Sequence, residues 1–590
     1  MRDSEGPNRA TATDLVLVIL FSVAIFGYAH LQTFTDHFII NDDVRQQIFW
    51  MQQWQDPELF KGDLLSDYAR HYVTWGVQGI YRLAALGLNP VDFSRVLPGV
   101  LFVFLGGCLF KIGEVLGGRL LAWMAVAIFW LMPFFLDNLA GGLARAFAAP
   151  LLAFFWLGWL QGRPWGMGLA LLLQALFIPY IFILALAAVM MAYVAARASR
   201  GNLPPFPRRP EHFVFLAAAT CLVLLMDHQF NVAGFGPLVS AADMANRPEF
   251  TAHGRYPLLP TPSIFWELIS PWEFIAPIGE GGLIGGVLGV PLLIGLALLG
   301  ACKVDWRALK PKLGPAGYLG LASLLVYLLA RWFLLKLFVP DRYLIYSLNL
   351  GYCMFLALCW SAALRVANWP RTLAVLMVIA AVGLSGLRLK NVGLYDYSAT
   401  RPLCEALAQT PKDALIAGQP NLMDAVPTFA RRRAFATYKL AHVWSKGYWQ
   451  QLKPRLEEFF VAYYAIDPEV VKNFCQRNHI DFLVVDDRHF APDFLAGGWF
   501  YFPFEQPARL GNPKPQLVEQ LWCPFFAPFD EQIRLLAQGG QQRFALLDSK
   551  AFPRQQLDEH MWLLDMRSYQ TAAPHDHLPE RGSMNPTWGK

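Results

Sequence analysis

The stretch from Trp165 to Ala196, WGMGLALLLQALFIPYIFILALAAVMMAYVAA, runs for 32 residues without a charge. One helical bilayer crossing takes about 20 apolar residues, so the run is long for a single span. Pro179 sits in its middle, with Phe177-Ile178 before it and Tyr180 after it. Proline lacks a backbone donor and clashes with the preceding turn. The reading is therefore two shorter helices that meet at a tight turn, a polar break tolerated only where protein shelters it.

Outward from this pair the same pattern recurs. Leu15–Ala29 reads as a first helix retained as an anchor, since no A-x-A cleavage site follows it. Further apolar runs cover roughly 96–113, 119–137, 142–160, 212–227, 281–302, 315–338, 342–364 and 371–388. With the split at Pro179 they predict a polytopic α-helical membrane protein of about eleven spans. Composition agrees: of 590 residues 55% are hydrophobic and only 16% charged, against roughly 25% charged in soluble domains. Twenty Trp, 20 Tyr and 45 Phe suit membrane–water interfaces. A purely soluble, disordered, collagenous or coiled-coil chain is excluded. Eight cysteines form no disulfide framework and no C-x-x-C pair.

Orientation follows from Lys and Arg. With the N-terminus in the cytoplasm, inside loops carry Lys111 and Arg119, Arg163, Arg197 to Arg209, Lys303 to Lys312, and Arg365 and Arg371. The connections at 137–141 and 178–180 carry none, as the positive-inside rule requires of outer loops. The net charge of +5 thus reports topology, not nucleic-acid binding. Segments 31–95, 228–280 and 389–590 then face outward. The chain divides into a membrane module, 1–392, with outer loops 31–95 and 228–280, and a soluble extracytoplasmic domain, 393–590. In the latter, strand-like runs at 414–418, 480–485 and 544–547 alternate with helical patterns at 448–464 and 467–477, which predicts an α/β domain. The expected setting is a bacterial inner membrane, with the C-terminal domain periplasmic.

The chemistry concentrates in Asn41-Asp42-Asp43-Val44-Arg45-Gln46-Gln47-Ile48-Phe49-Trp50-Met51-Gln52-Gln53-Trp54, about a dozen residues beyond the first span. Val44, Ile48, Met51 and Gln55 recur at helical spacing, and Trp50 and Trp54 suit the headgroup layer. This reads as an amphipathic helix lying along the bilayer. Asp43 with Gln46 three residues on has the form of a capping box. A carboxylate there can also take a proton from a hydroxyl or help bind a divalent cation; the two readings are compatible. His37 is the only histidine near the motif.

A retained first helix, an acidic motif in a long first outer loop, many spans and an outer C-terminal domain resemble the GT-C membrane glycosyltransferases. That superfamily includes the protein O-mannosyltransferases and the aminoarabinose transferases of lipid A. The resemblance covers most of the chain. It implies transfer of a sugar, hexosyl or pentosyl, from a polyprenyl-phosphate-linked donor at the outer face to a protein, lipid or glycan acceptor. Asp42 or Asp43 would be the base on the acceptor hydroxyl. The motif here is Asp-Asp and not the separated D-x-D of some members, so the resemblance leaves a divalent cation open. No other cofactor is implied.

Charged residues at the outer ends of spans support this reading. Arg145 lies among small residues, Arg331 and Lys336 flank one span end, and Pro340-Asp341-Arg342-Tyr343 begins the next. Ionisable groups at membrane depth are functional candidates, and these cations suit a lipid phosphate. Snorkelling to headgroups is the alternative, and fits Lys336 better than Arg145. An Arg-Tyr pair such as Arg342-Tyr343 beginning a late span also resembles the superfamily. The turn-rich loop 228–280 can close over a lipid-facing cavity or remain a passive surface loop. Asp486-Asp487-Arg488 reads first as a strand-to-loop boundary. No P-loop, G-x-G-x-x-G or G-x-S-x-G element is present. A flippase of lipid-linked glycan would instead need charges near the midplane, and a non-catalytic scaffold would leave the cation group without a role.

Overall fold

A computed structural model of the chain describes residues 10–244, 247–250, 264, 290–333, 336–366, 371–491, 509–510 and 544–570. Its first part is a stack of apolar helices. The run quoted above forms two of them, Pro164–Phe177 and Pro179–Ala198, with the break at Ile178 and a proline in the first turn of each. Proline fits there because the first-turn N–H has no intrahelical partner. The others are Ala12–Ala29, Pro90–Gly117, Arg119–Leu131, Ala148–Leu160, Pro210–Val232, Val290–Lys303, Trp306–Trp332, Arg342–Val366 and Arg371–Arg388. Among the described residues, six helices are each long and apolar enough to cross a membrane. The Arg119–Leu131 helix continues through a 66° bend into Pro133–Leu139. Of the span expected at 281–302, residues 281–289 lie outside the described residues.

The first helix is fixed at one end by a capping box between Thr11 and Asp14. Asp14 is also paired with Arg119 at 2.8 Å. At the other end the chain returns to meet it: Asn391 N donates to Ala29 O at 2.7 Å. The segment after the first helix and the segment after the last then join in one small sheet. Strand β1, Ile39–Ile40, pairs antiparallel with β2, Leu394–Asp396. The first outer loop and the C-terminal domain therefore lie on the same side.

The C-terminal domain is α/β, as expected. Strands β3 (Leu415–Ala417), β4 (Arg433–Ala434), β5 (Phe482–Asp486), β7 (Arg554–Gln556) and β8 (Met561–Asp565) form a sheet of order β4-β3-β5-β8-β7. A further strand, β6, Arg509–Leu510, extends β2. β3 is parallel to both β4 and β5, and β8 is antiparallel to β5 and β7. β5 is buried along its whole length, as a central strand covered on both faces must be. Helices Lys446–Tyr463 and Pro468–Arg477 match the expected helical patterns. The strand expected at 544–547 is instead a 3₁₀ turn, Ala545–Leu547. Its apolar residues pack into the core from a turn, which four-residue periodicity does not distinguish from a strand.

A second correction concerns 44–54. The amphipathic surface helix is not formed. One α-turn, Val44–Gln47, runs into a 3₁₀ helix, Phe49–Trp54. Val44, Ile48, Phe49, Trp50 and Met51 are buried, with Trp50 only 1% exposed. Gln52 reaches the backbone carbonyl of Thr428 in the C-terminal domain. The segment is packed inside the protein, between helix Pro90–Gly117, its own loop and Val426–Ala430 of the C-terminal domain. Tyr68, on helix Leu64–Tyr72 of the same loop, stacks on Tyr448 with ring centroids 3.6 Å apart. Its hydroxyl bonds His442 Nδ1 at 2.8 Å and Ser445 Oγ at 2.9 Å. In the other outer loop, Val239 N donates to Trp444 O, and Asp243 pairs with Lys446 at 2.7 Å. The described start of 228–280 thus docks on the C-terminal domain; 251–263 and 265–280 lie outside the described residues.

Candidate active site at the outer ends of the helices

Two backbone segments converge on Asn41-Asp42-Asp43. The turn after Pro133–Leu139 approaches through Gly141, at φ +84°, where a Cβ would lie 2.9 Å from Asn41 Oδ1. Both the left-handed backbone and the close approach call for glycine. From the C-terminal side, Gly393 O accepts from Asn41 Nδ2 at 2.7 Å. Asn41 Oδ1 in turn accepts from Asp43 N and from Arg145 Nη2, each at 3.2 Å.

The two aspartates have different surroundings. Asp42 is saturated. Its Oδ1 accepts from Arg45 Nη2 at 2.5 Å and from the Tyr397 hydroxyl at 2.5 Å, and its Oδ2 is paired with Lys439 Nζ. Arg45 also lies 3.8 Å above the Tyr397 ring. Burial by itself pushes the Asp42 carboxyl up, but the Lys439 and Arg45 charges, with the hydrogen bonds from Lys439 and Tyr397, hold it well below the usual carboxylate range. Among the described residues Asp43 has one charged partner, the Arg145 guanidinium on its Oδ2, and its side chain is 22% exposed. It makes no capping bond to the turn that follows, so the capping box is not formed. The ion pair with Arg145 has taken the carboxylate instead.

Arg145 stands in a 3₁₀ turn, Ala144–Phe147, just ahead of helix Ala148–Leu160, and this turn packs against the ends of neighbouring helices. Arg342, in the first turn of its helix, acts electrostatically on Arg145, as do Asp137 and Tyr346. Arg342 also interacts with Tyr180 and Tyr346, and its Nε is 4.0 Å from Asp341 Oδ1. Of the four cations expected at a phosphate, Arg145 therefore meets the acidic pair and Arg342 acts on Arg145. Arg331 donates to the Tyr327 hydroxyl one helical turn back, at 3.1 Å. Lys336 is exposed in the turn beyond. Tyr343 is buried and its hydroxyl donates to Leu337 O, which removes it from chemistry. The His37 side chain is exposed, and its carbonyl accepts from Arg95 at 2.7 Å. Asp486 and Arg488 pair at 2.7 Å at the end of β5, the structural boundary expected of them.

Sequence reading missed Arg45, Tyr397, Asp424 and Lys439. Asp424 is buried beside Arg45 and Lys439. Its Oδ1 accepts from Lys439 N at 2.8 Å, and its Oδ2 has no hydrogen-bond partner among the described residues. Burial pushes its carboxyl up to about 6, against the pull of Arg45 and Lys439. Arg45 stands inside the motif itself, three residues from Asp42, but no local pattern marks it as the partner of that carboxylate.

A divalent cation fits this donor set poorly. Both Asp42 oxygens are taken by cationic or hydroxyl donors, and Asp43 is engaged by Arg145. Among the described residues no three His, Cys, Asp or Glu side chains group as a metal site would need.

No family model matches the chain, and no curated protein does. Solved structures do. The apo oligosaccharyltransferase of Archaeoglobus fulgidus aligns over 82% of this chain and 71% of its own, at 13% identity and a TM-score of 0.50. The same organism's oligosaccharyltransferase AglB, in complex with an inhibitory peptide and a dolichol-phosphate, aligns over 82% and 70%, at 12% identity and a TM-score of 0.49. The first of these establishes a shared fold. The polytopic helical architecture with a C-terminal α/β domain, expected from the sequence, is the architecture observed, and its fold is shared with that oligosaccharyltransferase.

Proposed function

We propose that the protein is a membrane glycosyltransferase that moves a sugar from a polyprenyl-phosphate-linked donor to a hydroxyl of a protein, lipid or glycan at the outer membrane face. The observation that carries this reading is the Asp43–Arg145 ion pair with a second guanidinium, Arg342, acting on the same group. Two neighbouring cations repel, and an anion between them relieves the repulsion through charge-assisted hydrogen bonds. A lipid phosphate brings that anion to headgroup depth. Deeper along the Arg342–Val366 helix, Ser347 to Phe355 line an apolar cavity of about 310 Å³ with Leu152, Trp156 and Leu319. It begins roughly 8 Å below Arg342 at 1.5 Å per residue, where the lipid chain would run.

In the reaction the acceptor oxygen attacks the anomeric carbon. The bond from that carbon to the phosphate oxygen breaks, and the lipid phosphate leaves with the electron pair as a stable anion. The acceptor proton passes to a carboxylate. Asp42 is a weak base, with its lone pairs engaged and its proton affinity lowered. Asp43 is the better base: phosphate bound to Arg145 competes for its one charged partner and frees the carboxylate beside the reacting bond. Arg145 and Arg342 stabilise the charge that builds on the leaving group. The fold shared with an oligosaccharyltransferase supports the assignment.

The test is reconstitution in liposomes with polyprenyl-phosphate-linked hexoses and pentoses, following release of polyprenyl phosphate, together with mass spectrometry of lipids that co-purify. Release by the wild type but not by Asp43→Asn is expected. Lack of turnover with every donor and lack of any co-purifying lipid phosphate would overturn the proposal.

A further inference from the structure

We infer that Lys439, supplied by the C-terminal domain, occupies the place a divalent cation would take at the acidic pair, so that the site works without a metal and requires that domain. The inference deepens the glycosyl-transfer reading and rests on it for its activity measurements only.

The charges at the site already balance. Three carboxylates, Asp42, Asp43 and Asp424, face three cations, Arg45, Lys439 and Arg145. A divalent ion binds hard oxygen donors that carry uncompensated negative charge. Here it would have to displace an ammonium and a guanidinium from Asp42 to find any. The ammonium is also held in place from behind. Lys439 N donates to Asp424 Oδ1 at 2.8 Å, and the preceding Tyr438 N donates to Pro420 O at 3.1 Å. The backbone is thus anchored to a buried carboxylate, and the side chain, 18% exposed, reaches Asp42 Oδ2. Asp42 is clamped on its other oxygen by Tyr397, also from the C-terminal side of the chain. Two of the three groups on Asp42 therefore come from beyond the last span. Lys439 is a positioning residue. It keeps Asp42 ionised and fixed, and Asp42 holds Arg45 and the turn from which Asp43 projects.

The experiment uses the full-length protein in nanodiscs and two readouts. The first is Mn²⁺ binding by electron paramagnetic resonance, which needs no knowledge of the substrate. Wild type and Asp42→Asn should take up the same, non-stoichiometric Mn²⁺. One tightly bound Mn²⁺ per wild-type chain, lost in Asp42→Asn, would overturn the inference. The second is transfer activity. Wild-type activity should survive exhaustive EDTA treatment, Lys439→Gln should lose roughly 10- to 100-fold, and Lys439→Arg should recover most of it. EDTA inactivation reversed by Mn²⁺ would overturn the inference, as would full activity in Lys439→Gln. If Lys439→Gln does not fold, Lys439→Arg and the wild-type metal measurements still decide. If no donor is turned over at all, the glycosyl-transfer reading fails while the Mn²⁺ result stands by itself.

Discussion

Replacing Asp424 by Asn should make the protein more stable at neutral pH. The Asp424 carboxyl is buried, with one oxygen on Lys439 N and the other without a partner among the described residues. Burial pushes it up to about 6 in the folded chain, against about 3.9 in an unfolded one. The folded state therefore binds this proton more tightly than the unfolded state does. Stability is lost as pH rises from about 4 through about 6, and above that the full cost is carried. Two units correspond to about 3 kcal/mol, an order-of-magnitude figure for a buried group near charges. Asn mimics the protonated form and keeps the acceptor for Lys439 N. Thermal unfolding of both proteins in nanodiscs between pH 4.5 and 8 measures the difference. The variant should melt several degrees higher at pH 7.5, since 1 kcal/mol is worth roughly 2–4 °C in a domain of this size. The gap should close towards pH 4.5. A variant less stable than wild type at pH 7.5, or a gap independent of pH, would refute the reasoning and mean that Arg45 and Lys439 hold Asp424 ionised.

Asp43→Asn should abolish transfer in steady-state assays while the protein still folds in membranes, because no capping bond is lost and Asn keeps an oxygen to accept from Arg145. Arg145→Gln should raise the donor KM about 10- to 150-fold and leave the acceptor KM alone, as expected for one lost charge-assisted contact; equal effects on both would assign Arg145 to structure. Tyr397→Phe removes a hydroxyl donor from Asp42 and loosens the turn that carries Asp43, so it should lower kcat, but by less than Asp43→Asn does. Single cysteines placed in 31–95 and in the C-terminal domain should react with an impermeant thiol reagent from the same side of sealed vesicles, because β1 and β2 are paired; opposite sides would contradict the fold.

The helices were legible because each carries its own signal. The break at Pro179 follows from one residue and the lengths on either side. The acidic pair was legible by position, one loop after the first apolar helix. What could not be read was the company it keeps. Tyr397 is 355 residues from Asp42, and no local pattern marks it. Lys439 lies further on, in a segment with weak periodicity. Trp50 misled for a physical reason: an aromatic on an amphipathic face suits a headgroup layer and a protein interface equally well. The 544–547 run misled because its four residues are too few to separate a buried strand from a buried turn.

The pairing of β1 with β2 also sets an order of events during synthesis. At about 5–20 residues per second, roughly 20 to 70 s separate the emergence of Asp42 from that of Tyr397. Throughout that interval the loop after the first helix lacks its partner strand, and the side of Phe49–Trp54 that packs on Val426–Ala430 has nothing to cover it. The acidic pair likewise lacks the clamp that orders it. A chain cut short anywhere before Lys439 would insert its helices yet leave the site unassembled. On the proposed reading, transfer competence would thus be acquired as a single late step, when the final segment docks, and premature termination would yield inert chains in place of partly active ones.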